Sequence, residues 1–262
     1  MLNLRWLLVP SLVLAFACGD DDSTPNGDED ILSPDATFMV RGTVYDLETD
    51  MPMEEAVTVS VAGLETTPTV SVTGAEFTIE VPANSTFHLL AGSFPNYRPT
   101  YNASVEVGAE DIDDVRLYVI REALLDDLAS DFEVTPVDGT GIVMLRVQDV
   151  DGQPLAGVTA DAFVVPEGVL GPYFLTDALA ADVAGTETSA SGLVLFFDHA
   201  AGLFSLEPNL QSTYAVTSPI APVEDSIVSY VVATAGGEPI VLPQNVSFTD
   251  DVSPIFIDRG CV

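Results

Sequence analysis

Between Phe38 and Arg121 the chain is cut into seven short runs, MVRGTVYD, AVTVSVAG, TVSVTG, AEFTIEVP, TFHLLAGS, ASVEVG and VRLYVIR, all rich in β-branched or aromatic residues and separated by Gly, Pro, Asn or Asp. Runs this short, punctuated by turn formers, read as strands. In AEFTIEV apolar and polar residues alternate strictly, so Phe77, Ile79 and Val81 are expected to face a core while Glu76, Thr78 and Glu80 face water. Val57, Val59 and Val119 are expected to share that core. Seven such strands predict an antiparallel β-sandwich.

After Arg121 the pattern changes. In EALLDDLASDF, residues Leu124, Leu125, Leu128 and Phe132 fall on one helical face, which predicts a short connecting helix. The opening of the first unit then recurs. VYDLETDMPMEEAV from Val44 and VQDVDGQPLAGV from Val147 share a strand-ending Val, an Asp two residues on, a Pro before an apolar residue, and a small or branched residue three beyond. The turns differ in length by one residue, since Asp46 to Pro52 is six steps and Asp149 to Pro154 is five. Such an echo predicts two related sandwiches in tandem, separate and each with its own core. SGLVLFFDHAAGLFSLEP and DSIVSYVVAT supply later strands, and Pro166 to Ser191 reads as a long loop with a helical turn, a place to look for a binding surface.

The order of landmarks RGTVYD, a turn with Pro52, EEAVTVSV and GAEFTIEVPANSTFHLLAGSFPNYRP resembles the carboxypeptidase regulatory-like family over about residues 37–121. The resemblance implies a transthyretin-like seven-stranded sandwich, an accessory domain without an activity of its own. The expected fold class is therefore all-β, two tandem antiparallel β-sandwiches of Ig-like or transthyretin-like type with a short connecting helix. The expected organisation is a signal peptide 1–18, a tether 19–36, a first sandwich 37–121, a linker helix 122–138, a second sandwich 139–235 and a terminal segment 236–262.

The amino terminus, MLNLRWLLVPSLVLAFAC, carries Arg5, an apolar run from Trp6 to Ala17 and then Cys18. That run is too short to span a bilayer and has the length of a secretory signal core. LAFAC before GDDD resembles the lipobox of bacterial lipoproteins, which implies that Cys18 is diacylated and becomes the first mature residue. Leu14 stands four rather than three residues before the Cys, and Phe16 is bulkier than the usual residue there; simple cleavage and release is the alternative. GDDDSTPNGDEDILSPD, with seven acidic residues among turn formers, reads as a disordered tether.

Charge restricts the partners. Forty-one acidic residues stand against seven basic ones, all Arg, for a formal net charge of −34. Nucleic acid is excluded as a partner, because phosphate neutralisation needs clustered cations. The expected partners are the membrane through the lipid anchor and either a glycan or a surface protein, with Tyr97, Tyr101 and Tyr173 as candidate surfaces for stacking on sugar rings. The expected location is exported and lipid-anchored, in the outer membrane, at the cell surface or in the periplasm.

No residues assemble a catalytic site. His88 and His199 lie in different units, Ser191 has no nearby base, and Asp149, Asp151 and Gly152 start like a calcium loop but place the Gly too early and lack the closing Glu. Asp113 with Asp114, and Asp250 with Asp251, read as solvated loop acids. No enzyme activity, catalytic residue or metal is expected. The ending VSFTDDVSPIFIDRGCV resembles the opening segment of c-type cytochrome domains, which implies that Cys261 is the first Cys of a C-x-x-C-H haem-attachment site. The second Cys and the His are absent, so no cofactor is expected, and haem only if the chain continues beyond Val262. The segment then reads as the start of a lost haem domain or as its decayed relic. The leading expectation is a non-catalytic exported lipoprotein whose sandwiches act as a spacer or binding platform. An adhesion module and a truncated electron-transfer protein are the alternatives.

Overall fold

The computed structural model describes residues 36–236 apart from 94, 205–206, 210–213 and 218–219. The first module contains β1 (Thr37–Asp46), β2 (Met51–Pro52), β3 (Thr58–Ala62), β4 (Val70–Thr73), β5 (Glu76–Pro82) and β6 (Ser85–Gly92). It continues with β7 (Tyr97–Arg98), β8 (Thr100–Tyr101), β9 (Val105–Val107) and β10 (Ile112–Arg121). Helix α1 (Glu122–Asp131) leads into the second module, which opens with β11 (Thr140–Gln148), β12 (Phe163–Val164), β13 (Leu170–Phe174) and β14 (Leu193–Ala200). Short strands β15 (Gly202–Phe204), β16 (Glu207–Pro208), β17 (Ala215–Thr217) and β18 (Ala221–Val223) precede β19 (Val228–Gly236).

The protein is all-β, with two tandem sandwiches joined by a short helix. The alternation in AEFTIEV is realised: Val57, Val59, Phe77, Ile79 and Val119 are buried in one core, whereas Glu76 and Glu80 are exposed. Leu125 and Leu128 of α1 are buried, with Leu124 and Phe132 packed against the same cluster.

The two modules follow one plan. In the first, the sheet order is β4-β5-β1-β10; in the second, β13-β14-β11-β19. β1 pairs antiparallel with β5 and parallel with β10, as β11 pairs antiparallel with β14 and parallel with β19. The echoed residues do the same work in each copy. The N–H of Met53 donates to Val44 O at 2.9 Å and that of Leu155 to Val147 O at 3.0 Å. The Val44 and Val147 N–H groups donate in turn to Ala75 O and Gly192 O. Asp46 Oδ1 accepts from the Glu48 N–H and Asp149 Oδ1 from the Asp151 N–H, so both aspartates cap a turn.

Each sandwich has its own core, as expected, but the two share a sheet and a third cluster, which corrects the expectation that they are separate. β8 pairs with β19, Thr100 opposite Val228 and Tyr101 opposite Ser229, so β3, β6 and β8 of the first module continue the main sheet of the second into one nine-stranded sheet. That sheet meets β10 on both faces. Leu117 and Val119 point into the core with Val59, Phe87 and Leu89, while Tyr118 and Ile120 point the other way, into a cluster with Leu125, Ile142, Met144, Leu195 and Phe197. A further core, with Val143, Leu145, Val194 and Phe196, fills the second sandwich. The expected loop from Pro166 to Ser191 contains β13, which pairs with β14; Tyr173 and Phe174 point to opposite faces of the sheet, Phe174 into the sandwich core and Tyr173 against the shared cluster. Gly171 and Pro172 inside the strand hid its pattern from the sequence.

Phe77→Ala removes a side chain 2% exposed, and its expected cost is about 3–5 kcal/mol in urea unfolding. A loss under about 1 kcal/mol would show that the first core repacks around the void.

Candidate functional site

The face of β10 that leaves the first sandwich carries Arg116, Tyr118 and Ile120 at alternate positions. Opposite it, β11 presents Ile142, Met144 and Arg146, and Tyr230 of β19 pairs beside Met144. Where the apolar residues meet, the seam is closed by the shared core. At the arginine end a cavity of about 230 Å³ remains, lined by Arg116, Tyr118, Arg146 and Tyr230 together with Asp50, Ser191 and an apolar wall. The same four side chains also line a neighbouring cavity of about 550 Å³, which extends towards Asn102 and Gln148.

Arg116 lies 4.1 Å over the Tyr45 ring and 5.5 Å from the Tyr118 centroid, and its Nη2 reaches Asp50 Oδ1. Tyr118 donates to the same Asp50 oxygen at 3.2 Å, and its ring meets that of Tyr230 at 5.2 Å. Arg146 is different. The other four arginines among the described residues, Arg41, Arg98, Arg116 and Arg121, each form an ion pair with a carboxylate; Arg146 forms none. Its Nε and the Tyr230 hydroxyl are both buried without a hydrogen-bond partner among the described residues. Burial acts to lower the Arg146 pKa, but the Tyr230 and Tyr118 hydroxyls beside it outweigh that and hold it raised, so the side chain stays a cation. Burial pushes Tyr230 up to about 12, against the pull of the Arg146 charge, so the phenol stays neutral.

A second cluster locks the first module to the helix junction. Asp46, 5% exposed, accepts from Tyr97 Oη at 2.7 Å and from Nε and Nη2 of Arg121 at 3.0 and 2.7 Å. Burial alone would raise its pKa; the bonds from Tyr97, Arg121 and the Glu48 N–H win, and it is held below the ordinary aspartate value. Glu48, 3.2 Å from Arg121, is pushed up by burial despite that charge. Tyr97 rises to about 12 through burial and its bond to Asp46. Within this cluster the buried Asp46 carboxylate is met by Tyr97, Arg121 and the Glu48 N–H.

The residues singled out in the sequence are dispersed. Tyr97 and Tyr101 are buried, with hydroxyls donated to Asp46 and Glu224, and Tyr173 packs its ring 4.6 Å from Phe132 and 5.8 Å from Phe197. The glycan-stacking surface expected of these three tyrosines is therefore corrected: their faces are spent on internal contacts. Asp149, Asp151 and Gly152 form a plain turn, with Asp149 Oδ1 also accepting from the Gln153 N–H. Asp113 pairs with Arg41, and Asp114 takes a positive φ of 61° in mid-strand. His88 and His199 each approach a backbone carbonyl. Ser191 lines the cleft and shares a bond with Ser189 Oγ. Cys18, Cys261 and the Asp250–Asp251 pair lie outside the described residues. Arg116 and Arg146 were missed. The available signal was a charged residue inside the apolar runs VRLYVI and IVMLRV of a chain with no Lys, since an Arg on a buried strand requires a reason.

No family model matches the chain, and no curated protein matches it. Among solved structures it is similar to a Streptococcal ancillary pilin, with 10% identity over 77% of this chain and 69% of that one and a TM-score of 0.25. It is also similar to GBS52, the minor pilin of Streptococcus agalactiae, with 16% identity over 80% of this chain and 99% of that one and a TM-score of 0.26. A third is the shaft pilin SpaA of Lactobacillus rhamnosus GG, with 12% identity over 79% of this chain and 100% of that one and a TM-score of 0.22. Likenesses this distant carry no activity or partner over to this chain, whose sandwich class rests on its own strand pairing and cores. Among the described residues no helix is long and apolar enough to cross a membrane.

Asp46→Asn is expected to cost about 1.5–3 kcal/mol at pH 7, the range for hydrogen bonds to a charged group. Because the folded-state pKa of Asp46 is depressed, its contribution is present above the unfolded value of about 3.9 and is lost as pH falls through the folded value. The gap between wild type and variant in thermal unfolding should therefore be full at pH 7 and close progressively below about pH 4. A gap that is constant from pH 7 to pH 2 would assign the loss to packing rather than to the carboxylate.

Proposed function

We propose that the chain is a non-catalytic exported surface protein in which two related sandwiches act as one rigid binding platform or spacer, tethered to a membrane through a lipid on Cys18. The observation that carries this reading is the β8–β19 pairing together with the shared core around Tyr118, Ile120 and α1. Tandem modules joined only by a linker swing against one another, whereas a common sheet and a desolvated interface transmit orientation and load across both. The acidic composition fits a solvent-facing role, since a strongly charged surface resists association. The anchor belongs to the proposal through the apolar run that ends at Ala17-Cys18 and the acidic stretch that follows.

Two measurements test the two halves of this reading. Scanning calorimetry of the full chain should give one unfolding transition whose van't Hoff and calorimetric enthalpies agree; two resolved transitions would sink the single-platform idea. Cys18→Ser should move the protein from the membrane fraction to the soluble fraction. Retention of that variant in the membrane fraction, or a mature amino terminus elsewhere by mass spectrometry, would remove the lipid anchor.

A further inference from the structure

We propose that the cleft between the two sandwiches binds a small organic carboxylate, held by Arg146 with the hydroxyls of Tyr230 and Ser191. The site stands whether or not the chain is anchored at Cys18.

The first step is the polarity of the groups without partners. Among the described residues, the buried side-chain atoms lacking a hydrogen bond are Arg146 Nε and Tyr230 Oη. Nε can only donate, and a phenol beside a guanidinium is set to donate as well. Tyr230 is 4% exposed and lines the cavity, and its hydroxyl is closed off from bulk solvent. Leaving such groups unmet costs on the order of 1–3 kcal/mol each, and a ligand oxygen that accepts from them recovers that cost. Ser191 Oγ accepts weakly from the Leu193 N–H at 3.3 Å and lies 2.9 Å from Ser189 Oγ; with Ser189 as the donor of that bond, the Ser191 hydrogen turns to a third acceptor.

The second step is charge. Arg116 is already matched by Asp50, which also takes the Tyr118 hydroxyl, so the cleft has one uncompensated positive charge, that of Arg146. A monoanion neutralises it. A phosphate dianion would leave a surplus negative charge beside Asp50 in a chain of net charge −34. The edge of a guanidinium formed by Nε and one terminal nitrogen matches the two oxygens of a carboxylate in a planar, two-bond pair.

The third step is shape. Leu47, Pro154, Leu179 and Leu193 line the rest of the cavity, which at about 230 Å³ holds a short aliphatic or cyclic remainder and excludes a folded protein segment. A carboxylic acid with a small apolar body satisfies polarity, charge and shape together.

The test is calorimetric titration of the full chain with straight-chain carboxylates from acetate to hexanoate, with inorganic phosphate and hexan-1-ol as comparisons. At least one carboxylate should bind, with phosphate and the alcohol weaker by about tenfold or more, equivalent to about 1.4 kcal/mol. Tyr230→Phe removes a buried hydroxyl that has no hydrogen-bond partner among the described residues, so it should leave the melting temperature unchanged or raise it while weakening carboxylate binding by about tenfold. Arg146→Gln should abolish binding; should that variant fail to fold, the Tyr230→Phe result carries the test. Absence of binding across the series, equal binding of phosphate, or full affinity in Tyr230→Phe would each overturn the proposal.

Discussion

Four consecutive buried residues, Leu117, Tyr118, Val119 and Ile120, make β10 the wall on which both modules lean. In a strand, neighbours point to opposite faces, so this burial requires apolar matter on both sides. The first sandwich supplies one side, and the second sandwich with α1 supplies the other. Full burial of a large apolar side chain is worth about 1.5–3 kcal/mol, so neither partner can withdraw without exposing several such groups at once. The backbone adds a second condition. β1 pairs along β10 on one edge, but on the other β7 covers only Ile120 and Arg121. At Tyr118 the side chain of Asn102 takes the place of a strand, accepting from the Tyr118 N–H at 2.8 Å and donating to its carbonyl at 3.1 Å. A buried peptide group must be satisfied, and here one amide closes the edge while holding β8, the strand that bridges the modules, against β10.

The parts of this architecture that depend on local pattern were legible in the sequence. AEFTIEV announced its buried face because one side meets water, and the paired turns after Val44 and Val147 announced the duplication because the same aspartate cap and the same Val carbonyl bond recur. The continuous apolar runs LYVI and LVLFF were legible as strands, yet an unbroken run says only that both faces are covered and not by what. That information is non-local. Val228 pairs with Thr100 across more than a hundred residues, and nothing in either segment names the other. The cleft was illegible for the same reason, since Arg116, Arg146 and Tyr230 come from three strands that only the shared seam brings together.

The arginines show how a strongly acidic chain uses few cations. Arg41 with Asp111 and Asp113 is a largely exposed group, and pairs of that kind contribute little. Arg121 matters more because its partner Asp46 has a side chain only 6% exposed, so the guanidinium fork compensates a carboxylate that burial would otherwise penalise. Arg is suited to this by its planar donors, which meet both oxygens or two acceptors at once, whereas a Lys supplies a point charge that is costlier to desolvate. Each described cation thus has a local electrostatic reason, with Arg146 the exception that lacks a carboxylate.

The position of that exception follows from how the seam is graded. Along β10 the face towards the second module reads Ile120, Tyr118, Arg116, and along β11 the facing positions read Ile142, Met144, Arg146. Both strands pass from apolar to charged in steps of two, so the ends that would have to meet to close the seam carry like charges. Arg116, its side chain 45% exposed, is paired with Asp50 and lies over the Tyr45 ring. The seam closes where Ile120 meets the apolar positions of β11, and a cavity remains at the end where the arginines stand. The strand-borne part of the site, Arg116, Tyr118, Arg146 and Tyr230, comes from the seam that joins the modules, and Ser191 reaches it from the turn before β14.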